Sequence, residues 1–88
     1  MSVPGYQEFM YPFLVVLSDG EEHTLQEMYE SLADYFKLTE SEITEKLPSG
    51  QQTLLVNRIG WTRTYLNKAG LIRVVRRAVF QITDEAFN

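Results

Sequence analysis

The sequence predicts a mainly α-helical domain of 88 residues that closes with a small β-hairpin. Apolar residues recur at helical spacing through most of the chain, which is typical of amphipathic helices. After Gly70 the apolar spacing changes from about 3.6 to about 2, as in β-strands. With 44% hydrophobic residues, a chain of this length can form one small core. We therefore predict a single domain over residues 1–88.

The first two helices are indicated by apolar spacing and by a capping signal. The first helix has apolar residues three or four positions apart at Tyr6, Phe9, Met10, Phe13, Leu14 and Leu17. Pro12 lies within it and should kink the helix or delay its regular part. A second helix should follow Thr24, because Thr24 and Glu27 have the T-x-x-E spacing of a capping box. Its apolar positions are Leu25, Met28, Leu32 and Phe36.

A short third helix and a longer fourth helix are expected next. Thr39 and Glu42 repeat the capping-box spacing and predict a helix through about Leu47. After a turn at residues 48–50, the fourth helix should run from about Gln51 to Lys68 and end at Gly70. Its inward positions are expected to be Leu55, Ile59, Thr62, Leu66 and Ala69, with Trp61 and Tyr65 on one flank.

The last segment predicts the hairpin. Residues 71–75 and 78–83 are rich in β-branched and aromatic residues; Ile72 and Val74 alternate with Arg73, and Phe80 and Ile82 alternate with Gln81. Arg76 and Arg77 lie between these two runs, so we place them at or near the hairpin tip. Helices followed by a closing hairpin is the order of a winged helix-turn-helix domain. In that fold the last helix enters the major groove of DNA, and the hairpin, or wing, touches the flanking backbone.

Charge is distributed unevenly along the chain. The net charge is -4, yet residues 48–83 contain no acidic residue. Residues 51–80 carry the basic side chains Arg58, Arg63, Lys68, Arg73, Arg76 and Arg77. Phosphates repel carboxylates, whereas each Lys or Arg that contacts a phosphate releases condensed counterions. The pattern favours DNA contact by the fourth helix and the hairpin, and ordinary solvated faces are the alternative.

The residues also resemble a known family. The stretches are "VPGYQEFMYPFLVVLSDGEEHTLQEMYESLAD" and "LPSGQQTLLVNRIGWTRTYLNKAGLI", within roughly residues 3–83. They resemble the N-terminal domain of the Mrr family of type IV, modification-dependent restriction proteins. The most specific pieces are Ser49-Gly50-Gln51, Asn57-Arg58, Gly60-Trp61, Tyr65-Leu66 and Lys68-Ala69-Gly70-Leu71.

The resemblance implies a winged-helix module that binds double-stranded DNA carrying methylated adenine or cytosine. In this family the module is usually joined to a C-terminal nuclease domain of the PD-(D/E)xK type. One departure concerns Ala78, which stands where the family usually has glycine after the paired wing arginines. The segment Arg73–Val75 is also more apolar than the usual wing. These departures predict a wing turn that differs in shape from that of the family.

Candidate DNA-binding residues follow from the helix geometry and from the resemblance. Asn57 can pair with an adenine edge, Gly60 allows close backbone approach, and helix N-terminal amides can bind phosphate. Arg58 lies close to the buried stripe and could instead pair with an acid of the second helix. The full set is Ser49, Gly50, Gln51, Gln52, Asn57, Arg58, Gly60, Arg63, Thr64, Lys68, Arg76 and Arg77.

We expect no catalytic residue, metal or cofactor. No proline is followed by aspartate and no Asp/Glu-x-Lys triplet occurs, so the nuclease motif is absent from these residues. The chain has no cysteine, and His23 has no second ligand at metal spacing. Thr83 and the acids after it resemble the start of a helix, which favours an excised N-terminal piece over a free-standing relative. Without a signal peptide or membrane segment, a cytoplasmic location is expected.

Two other functions fit the same fold. A protein-interaction or dimerisation module would explain the net charge of -4, which is unusual for a strong DNA binder. A free-standing transcriptional regulator would bind an unmodified operator as a homodimer.

Trp61 and Tyr65 are expected to be core residues, the usual role of aromatics at helical spacing. Stacking on a flipped or methylated base is the alternative for them.

Overall fold

The computed structural model describes residues 3–87 as four helices, three strands and a short 3-10 helix. In chain order these are α1 (Tyr6–Leu17), β1 (His23–Thr24), α2 (Leu25–Tyr35), α3 (Glu40–Thr44), α4 (Leu54–Lys68), β2 (Ile72–Arg76), β3 (Val79–Ile82) and the 3-10 helix Asp84–Phe87. The strands form one antiparallel sheet in the order β1-β3-β2. The chain is therefore mainly α-helical with a small sheet, an architecture compatible with a helix-turn-helix-like fold.

The helix starts show how local sequence determines local structure. In α2, Thr24 Oγ1 accepts a hydrogen bond from the Glu27 amide at 3.1 Å, and Glu27 Oε1 accepts one from the Thr24 amide at 3.2 Å. The same reciprocal pair joins Thr39 and Glu42 at the start of α3. Both predicted capping boxes are confirmed. Pro12 lies buried inside α1, which nevertheless begins at Tyr6, so the proline does not delay the helix.

Two helix boundaries differ from the prediction. α3 ends at Thr44 instead of about Leu47, and α4 begins at Leu54 instead of about Gln51. Between them, Lys46 and Thr53 form an isolated antiparallel bridge. This pairing keeps the backbone on both sides of the turn out of the helical conformation. Thr53 then caps α4, because its Oγ1 accepts a hydrogen bond from the Val56 amide at 3.1 Å.

The end of α4 follows the predicted glycine stop. Gly70 has φ +77°, and its amide donates to the carbonyl of Asn67 at 3.1 Å. The Leu71 amide donates to the carbonyl of Leu66 at 3.0 Å, which completes a Schellman motif. The inward stripe of α4 is confirmed except at its last position, since Ala69, the residue just before Gly70, is exposed.

The hairpin has the predicted position and a strained turn. β2 and β3 pair from Ile72 opposite Ile82 to Arg76 opposite Val79, with an irregularity in register before Arg76. Residues 77–78 form the turn, so Arg76 and Arg77 lie at the hairpin tip as predicted. Ala78 has φ +59°, the left-handed conformation that glycine adopts without cost. The turn thus keeps a glycine-like backbone although alanine occupies the position.

The core joins the helices to one face of the sheet. Phe13 of α1 and Phe80 of β3 are fully buried and pack edge to face with ring centroids 6.2 Å apart. Other buried side chains come from every long helix and from β2, and include Phe9, Leu17, Met28, Leu32, Leu55, Ile59, Leu66 and Ile72. Burial of each large side chain contributes about 1.5–3 kcal/mol. This core fixes α4 and the hairpin relative to each other.

Candidate nucleic-acid interface

The acid-free segment builds two adjoining elements, α4 and the β2–β3 hairpin. Its six basic residues fall into different environments. Lys68 and Arg77 are exposed and form no ion pair among residues 3–87. The other four, Arg58, Arg63, Arg73 and Arg76, contact protein groups.

The outward face of α4 carries four of the predicted DNA-binding residues. Asn57, Gly60, Thr64 and Lys68 are three or four residues apart and share the face opposite the buried stripe. Asn57 Nδ2 donates to Gln52 Oε1 at 2.8 Å, and Thr64 Oγ1 donates to the Gly60 carbonyl at 2.9 Å. Apart from its two chain neighbours and the backbone of α4 itself, no atom lies within 4 Å of the place where a Cβ on Gly60 would stand. The backbone there is open to close approach from outside.

The turn before α4 is exposed at residues 49–52. Gly50 has φ +74°, and its amide donates to the Leu47 carbonyl at 2.8 Å. The Leu47 amide in turn donates to the carbonyl of Gln52 at 3.0 Å, which closes the turn. Ser49, Gln51 and Gln52 therefore precede the helix and do not form its first turn. The sequence predicted that amides at the N-terminus of α4 can bind a phosphate. One of these amides, that of Val56, already donates to Thr53 Oγ1, so fewer amides are left for a phosphate.

Arg58 is directed at the backbone of the N-terminal segment. Its Nη1 donates to the carbonyl oxygens of Val3 and Pro4. One turn later, the buried Thr62 Oγ1 donates to the carbonyl of Tyr6 at 2.7 Å. These two side chains tie α4 to residues 3–6. The alternative in which Arg58 pairs with an acid of α2 is not what the structure has.

Arg63 lies between α4 and the sheet. Its guanidinium carbon is 5.9 Å from the centroid of the Phe80 ring, within range of a cation–π contact. Its Nε is buried without a hydrogen-bond partner. Partial burial raises the pKa of the nearby Tyr29 hydroxyl, and the positive charge of Arg63 opposes that rise. Arg63 is thus half-buried against the core edge instead of projecting from α4.

The hairpin arginines differ in what holds them. The Arg73 Nε donates to Gln81 Oε1 at 3.2 Å across β2 and β3. Arg76 Nη2 lies 2.6 Å from Glu22 Oε1, in the loop before β1. Arg77 extends from the turn into solvent. The hairpin therefore presents three exposed arginines: Arg77 in solvent, Arg73 hydrogen-bonded to Gln81, and Arg76 paired with a carboxylate.

His23 has two acidic partners that were not predicted from the sequence. Its Nε2 is 2.9 Å from Asp19 Oδ2, and its Nδ1 is 3.1 Å from Glu27 Oε2. Partial burial of the ring alone would lower the pKa of His23, but the hydrogen bonds and charges of both carboxylates outweigh it and raise the pKa. The spacing of four residues on each side could have suggested these contacts.

Trp61 and Tyr65 lie on the surface, so the expectation that they are core residues is wrong. Their side chains are 50% and 42% exposed. Tyr65 stacks on Tyr6 of α1, with ring centroids 5.1 Å apart and an interplanar angle of 22°. Trp61 follows in the same series, 6.2 Å from Tyr65. The helical spacing predicted which flank of α4 carries Trp61 and Tyr65, but it could not show that this flank stays exposed in the fold.

Two further properties bear on the type of site. Within residues 3–87, no three His, Cys, Asp or Glu side chains are grouped so that they could hold a metal ion. None of the helices in that range is long and apolar enough to cross a bilayer.

Comparison with known proteins agrees with the resemblance seen in the sequence. The family model of the Mrr N-terminal domain matches residues 6–88. The type IV methyl-directed restriction enzyme EcoKMrr of Escherichia coli (strain K12) is 32% identical over 89 residues. That alignment covers 100% of this chain but 29% of the relative. No solved structure matches the chain significantly. The chain belongs to the Mrr N-terminal domain family.

Proposed function

We propose that this chain is a winged-helix domain that binds methylated double-stranded DNA as part of a restriction system. In this proposal α4 lies in the major groove and the β2–β3 hairpin is the wing that follows the flanking backbone. The observation that carries it is the acid-free segment of residues 48–83, which forms these two elements and little else.

The element order supports the winged-helix assignment. The two longer strands follow α4 and make the hairpin, and the short β1 between α1 and α2 adds a third strand beside β3. The sheet packs on the same core as α4, since Phe80 and Ile59 are both fully buried. A wing fixed in this way would touch DNA only beside the groove that α4 occupies.

The exposed charges support a phosphate contact. Lys68 at the end of α4 and Arg77 at the hairpin tip face solvent, and Arg73 and Arg76 are exposed with polar partners that a phosphate could replace. Each such contact releases counterions and makes the affinity fall with salt. Asn57, Thr64 and the turn at residues 49–52 would then meet base edges or the adjacent backbone.

The preference for methylated DNA rests on the relative described as methyl-directed. Methyl groups on the C5 of cytosine or the N6 of adenine lie in the major groove, where α4 would be inserted.

The domain would contribute binding and no catalysis. In a full-length protein, cleavage would fall to a C-terminal nuclease domain outside the homologous region. A function on DNA also fits the cytoplasmic location expected from the sequence.

The experiment that tests this proposal is a titration of matched duplexes that are unmodified, adenine-methylated or cytosine-methylated. The domain should bind with an affinity that falls steeply with salt. Replacing Lys68 and Arg77 together by Gln should reduce the slope of log affinity against log salt by about 1.8, or 0.9 for each lost contact. Lys37→Gln, outside the acid-free segment, is the control and should leave the slope unchanged. No binding to any duplex at about 50 mM salt would overturn the proposal.

A second candidate is a protein-interaction or dimerisation module. Three exposed aromatic side chains on α1 and α4 favour it: Tyr11 is 71%, Trp61 50% and Tyr65 42% exposed. Sedimentation equilibrium would test it, because a dimer through this face should weaken when Tyr11 is changed to Ala. Dimer formation with no DNA binding would support this candidate, whereas methylation-independent binding to one sequence would indicate a transcriptional regulator.

A further inference from the structure

We infer that Trp61 contacts the methyl group of the modified base and so provides the preference for methylated DNA. The inference rests on the proposed function, because it requires α4 to lie in the major groove. The chemistry recognised is a methyl group at the groove edge of a base. That group has two sources, cytosine methylated at C5 and adenine methylated at N6.

Trp61 lies on the part of α4 that would face DNA. It follows Asn57 by four residues and precedes Thr64 by three, so the three side chains are neighbours on the helix surface. Its indole is 50% exposed. A helix seated in the groove through Asn57 and Thr64 would therefore bring the indole to the base edges as well.

The neighbours of Trp61 on this face offer a different chemistry. Asn57, Thr64 and Lys68 supply amide, hydroxyl and ammonium groups, which suit base edges and phosphates. The indole supplies a broad apolar surface. Apolar side chains contact the C5 methyl of thymine in the major groove, and 5-methylcytosine carries its methyl at the same ring position. The segment of residues 48–83, to which α4 belongs, itself contains no acidic residue that could repel the duplex.

The indole is held in place before any partner arrives. Trp61 packs on Tyr65 with ring centroids 6.2 Å apart, and Tyr65 stacks on Tyr6 at 5.1 Å. Thr62 Oγ1 donates to the Tyr6 carbonyl at 2.7 Å and fixes the last ring against α4. A surface side chain that is already ordered loses less conformational entropy on binding. A single exposed aromatic side chain is ordinary on a protein surface and indicates no function. Here three aromatic rings pack in a row, and the last of them, Trp61, lies on the face of α4 that would meet DNA in the proposed complex.

The expected difference in affinity between a methylated and an unmodified duplex follows from the size of one methyl group. Burying one methyl or methylene group contributes about 0.8 kcal/mol, which corresponds to about a fourfold change in affinity. A duplex with one methyl group in reach of Trp61 should therefore bind about fourfold more tightly than its unmodified counterpart.

The chain contains a single tryptophan, so its fluorescence reports on this residue alone. The test titrates the wild-type domain with three duplexes of the same sequence: unmodified, methylated at adenine N6 and methylated at cytosine C5. We expect one methylated duplex to bind about fourfold more tightly and to protect Trp61 from acrylamide quenching more than the unmodified duplex does. The duplex that does so identifies the methylated base.

Variants separate a methyl contact from general support of the fold. The Trp61 variants contain no tryptophan, so their affinities are measured by fluorescence anisotropy of a labelled duplex. Trp61→Ala should reduce the ratio of methylated to unmodified affinity from about four to about one, and Trp61→Phe should keep part of it. Tyr35→Ala removes an equally exposed aromatic at the end of α2 and should leave the ratio unchanged. Thermal unfolding of each variant controls for folding, and Trp61→Phe preserves the aromatic packing if Trp61→Ala does not fold.

The contrary results are distinct from one another. A wild-type domain that binds all three duplexes equally would overturn this inference together with the proposed preference for methylated DNA, and only the proposed DNA binding would remain. A Trp61→Phe domain that loses affinity for all three duplexes by the same factor would overturn this inference alone. A wild-type domain that binds no duplex would overturn the DNA-binding proposal itself.

Discussion

Arg76 and Glu22 form an ion pair that joins the hairpin tip to the loop before β1, with 2.6 Å between Nη2 and Oε1. Their side chains are 65% and 39% exposed, so water and salt compete with the pair and its contribution to stability is about 0–1 kcal/mol. In the proposed complex, this carboxylate competes with a DNA phosphate for the Arg76 guanidinium.

Glu22→Gln should strengthen DNA binding. The substitution removes a carboxylate that repels phosphates and releases Arg76 to contact the backbone. We expect affinity to rise about two- to fivefold near 100 mM salt, with the slope of log affinity against log salt steeper by about 0.9. Fluorescence anisotropy of a labelled duplex at four salt concentrations measures both quantities.

Glu21→Gln is the matched control, because it changes the same charge one residue away and its side chain has no arginine partner among residues 3–87. It should raise affinity less than Glu22→Gln does. Equal effects of the two substitutions would mean that net charge, and not the ion pair, limits binding.

Ala78→Gly should stabilise the domain. Ala78 has φ +59°, where a residue with a Cβ is disfavoured by about 1–2 kcal/mol. Glycine relieves this strain but also increases the entropy of the unfolded chain, so we expect a net gain of about 0.5–1 kcal/mol in the free energy of unfolding. Urea unfolding followed by circular dichroism gives the value.

Gly70→Ala provides the reverse comparison, at φ +77° in the Schellman motif that ends α4. A Cβ on Gly70 would meet no atom within 4 Å, so its cost is backbone strain alone, about 1 kcal/mol. If Ala78→Gly also destabilised the domain, the turn at residues 77–78 would have to adopt another conformation in solution.

Local signals predicted most of the fold. The capping boxes at Thr24 and Thr39 and the glycine stop at Gly70 each depend on residues within six positions of one another, and all three are present. The alternation after Gly70 likewise predicted β2 and β3. Such features need no knowledge of tertiary packing, and therefore the sequence alone suffices for them.

Features that depend on distant residues could not be predicted. β1 has two residues and exists because His23 and Thr24 pair with β3, more than fifty positions away. The Arg76–Glu22 pair and the contact of Arg58 with the Val3 carbonyl are also long-range. The apolar periodicity predicted the buried side of α4. Which flank of α4 stays exposed depends on how α1 packs against it, and this could not be predicted.

The His23 cluster should make stability depend on pH. The pKa of His23 is raised, so the folded state binds the proton more tightly than the unfolded state does. This contribution is fully present below about pH 6.5 and is lost as pH rises through the folded pKa. Unfolding free energies at a series of pH values between about 5 and 8.5 should therefore fall toward the alkaline end.

The carboxylates of the cluster act in the opposite direction. A hydrogen bond from the Glu21 amide, aided by His23, lowers the pKa of Asp19, and one from the Thr24 amide, aided by His23, lowers the pKa of Glu27. Their contribution is present above about pH 4.5 and is lost as pH falls through their folded pKa values. The cluster therefore stabilises the domain most between about pH 4.5 and 6.5.

His23 is the chain's one histidine, so its imidazole resonances can be followed directly by NMR. The pKa should lie above about 6.5 in the wild type and fall in Asp19→Asn. An unchanged His23 pKa in that variant would show that Asp19 does not cause the shift.

Arg58 and Arg77 carry the same charge but should respond differently to substitution. Arg58 Nη1 donates to the Val3 and Pro4 carbonyls, so Arg58→Ala removes the link between α4 and residues 3–4. We expect a loss of about 1–3 kcal/mol in the free energy of unfolding, because hydrogen bonds from a charged donor contribute about 1.5–3 kcal/mol.

Arg77 is exposed at the hairpin tip, so Arg77→Ala should change stability by less than about 0.5 kcal/mol. It should instead weaken DNA binding and reduce the salt slope by about 0.9. Measuring unfolding and duplex affinity for both variants separates the two roles. If Arg58→Ala left stability unchanged but weakened DNA binding, Arg58 would be a DNA-contacting residue and not a stabilising one. Its guanidinium would then have to leave the Val3 carbonyl in the complex in order to reach a phosphate.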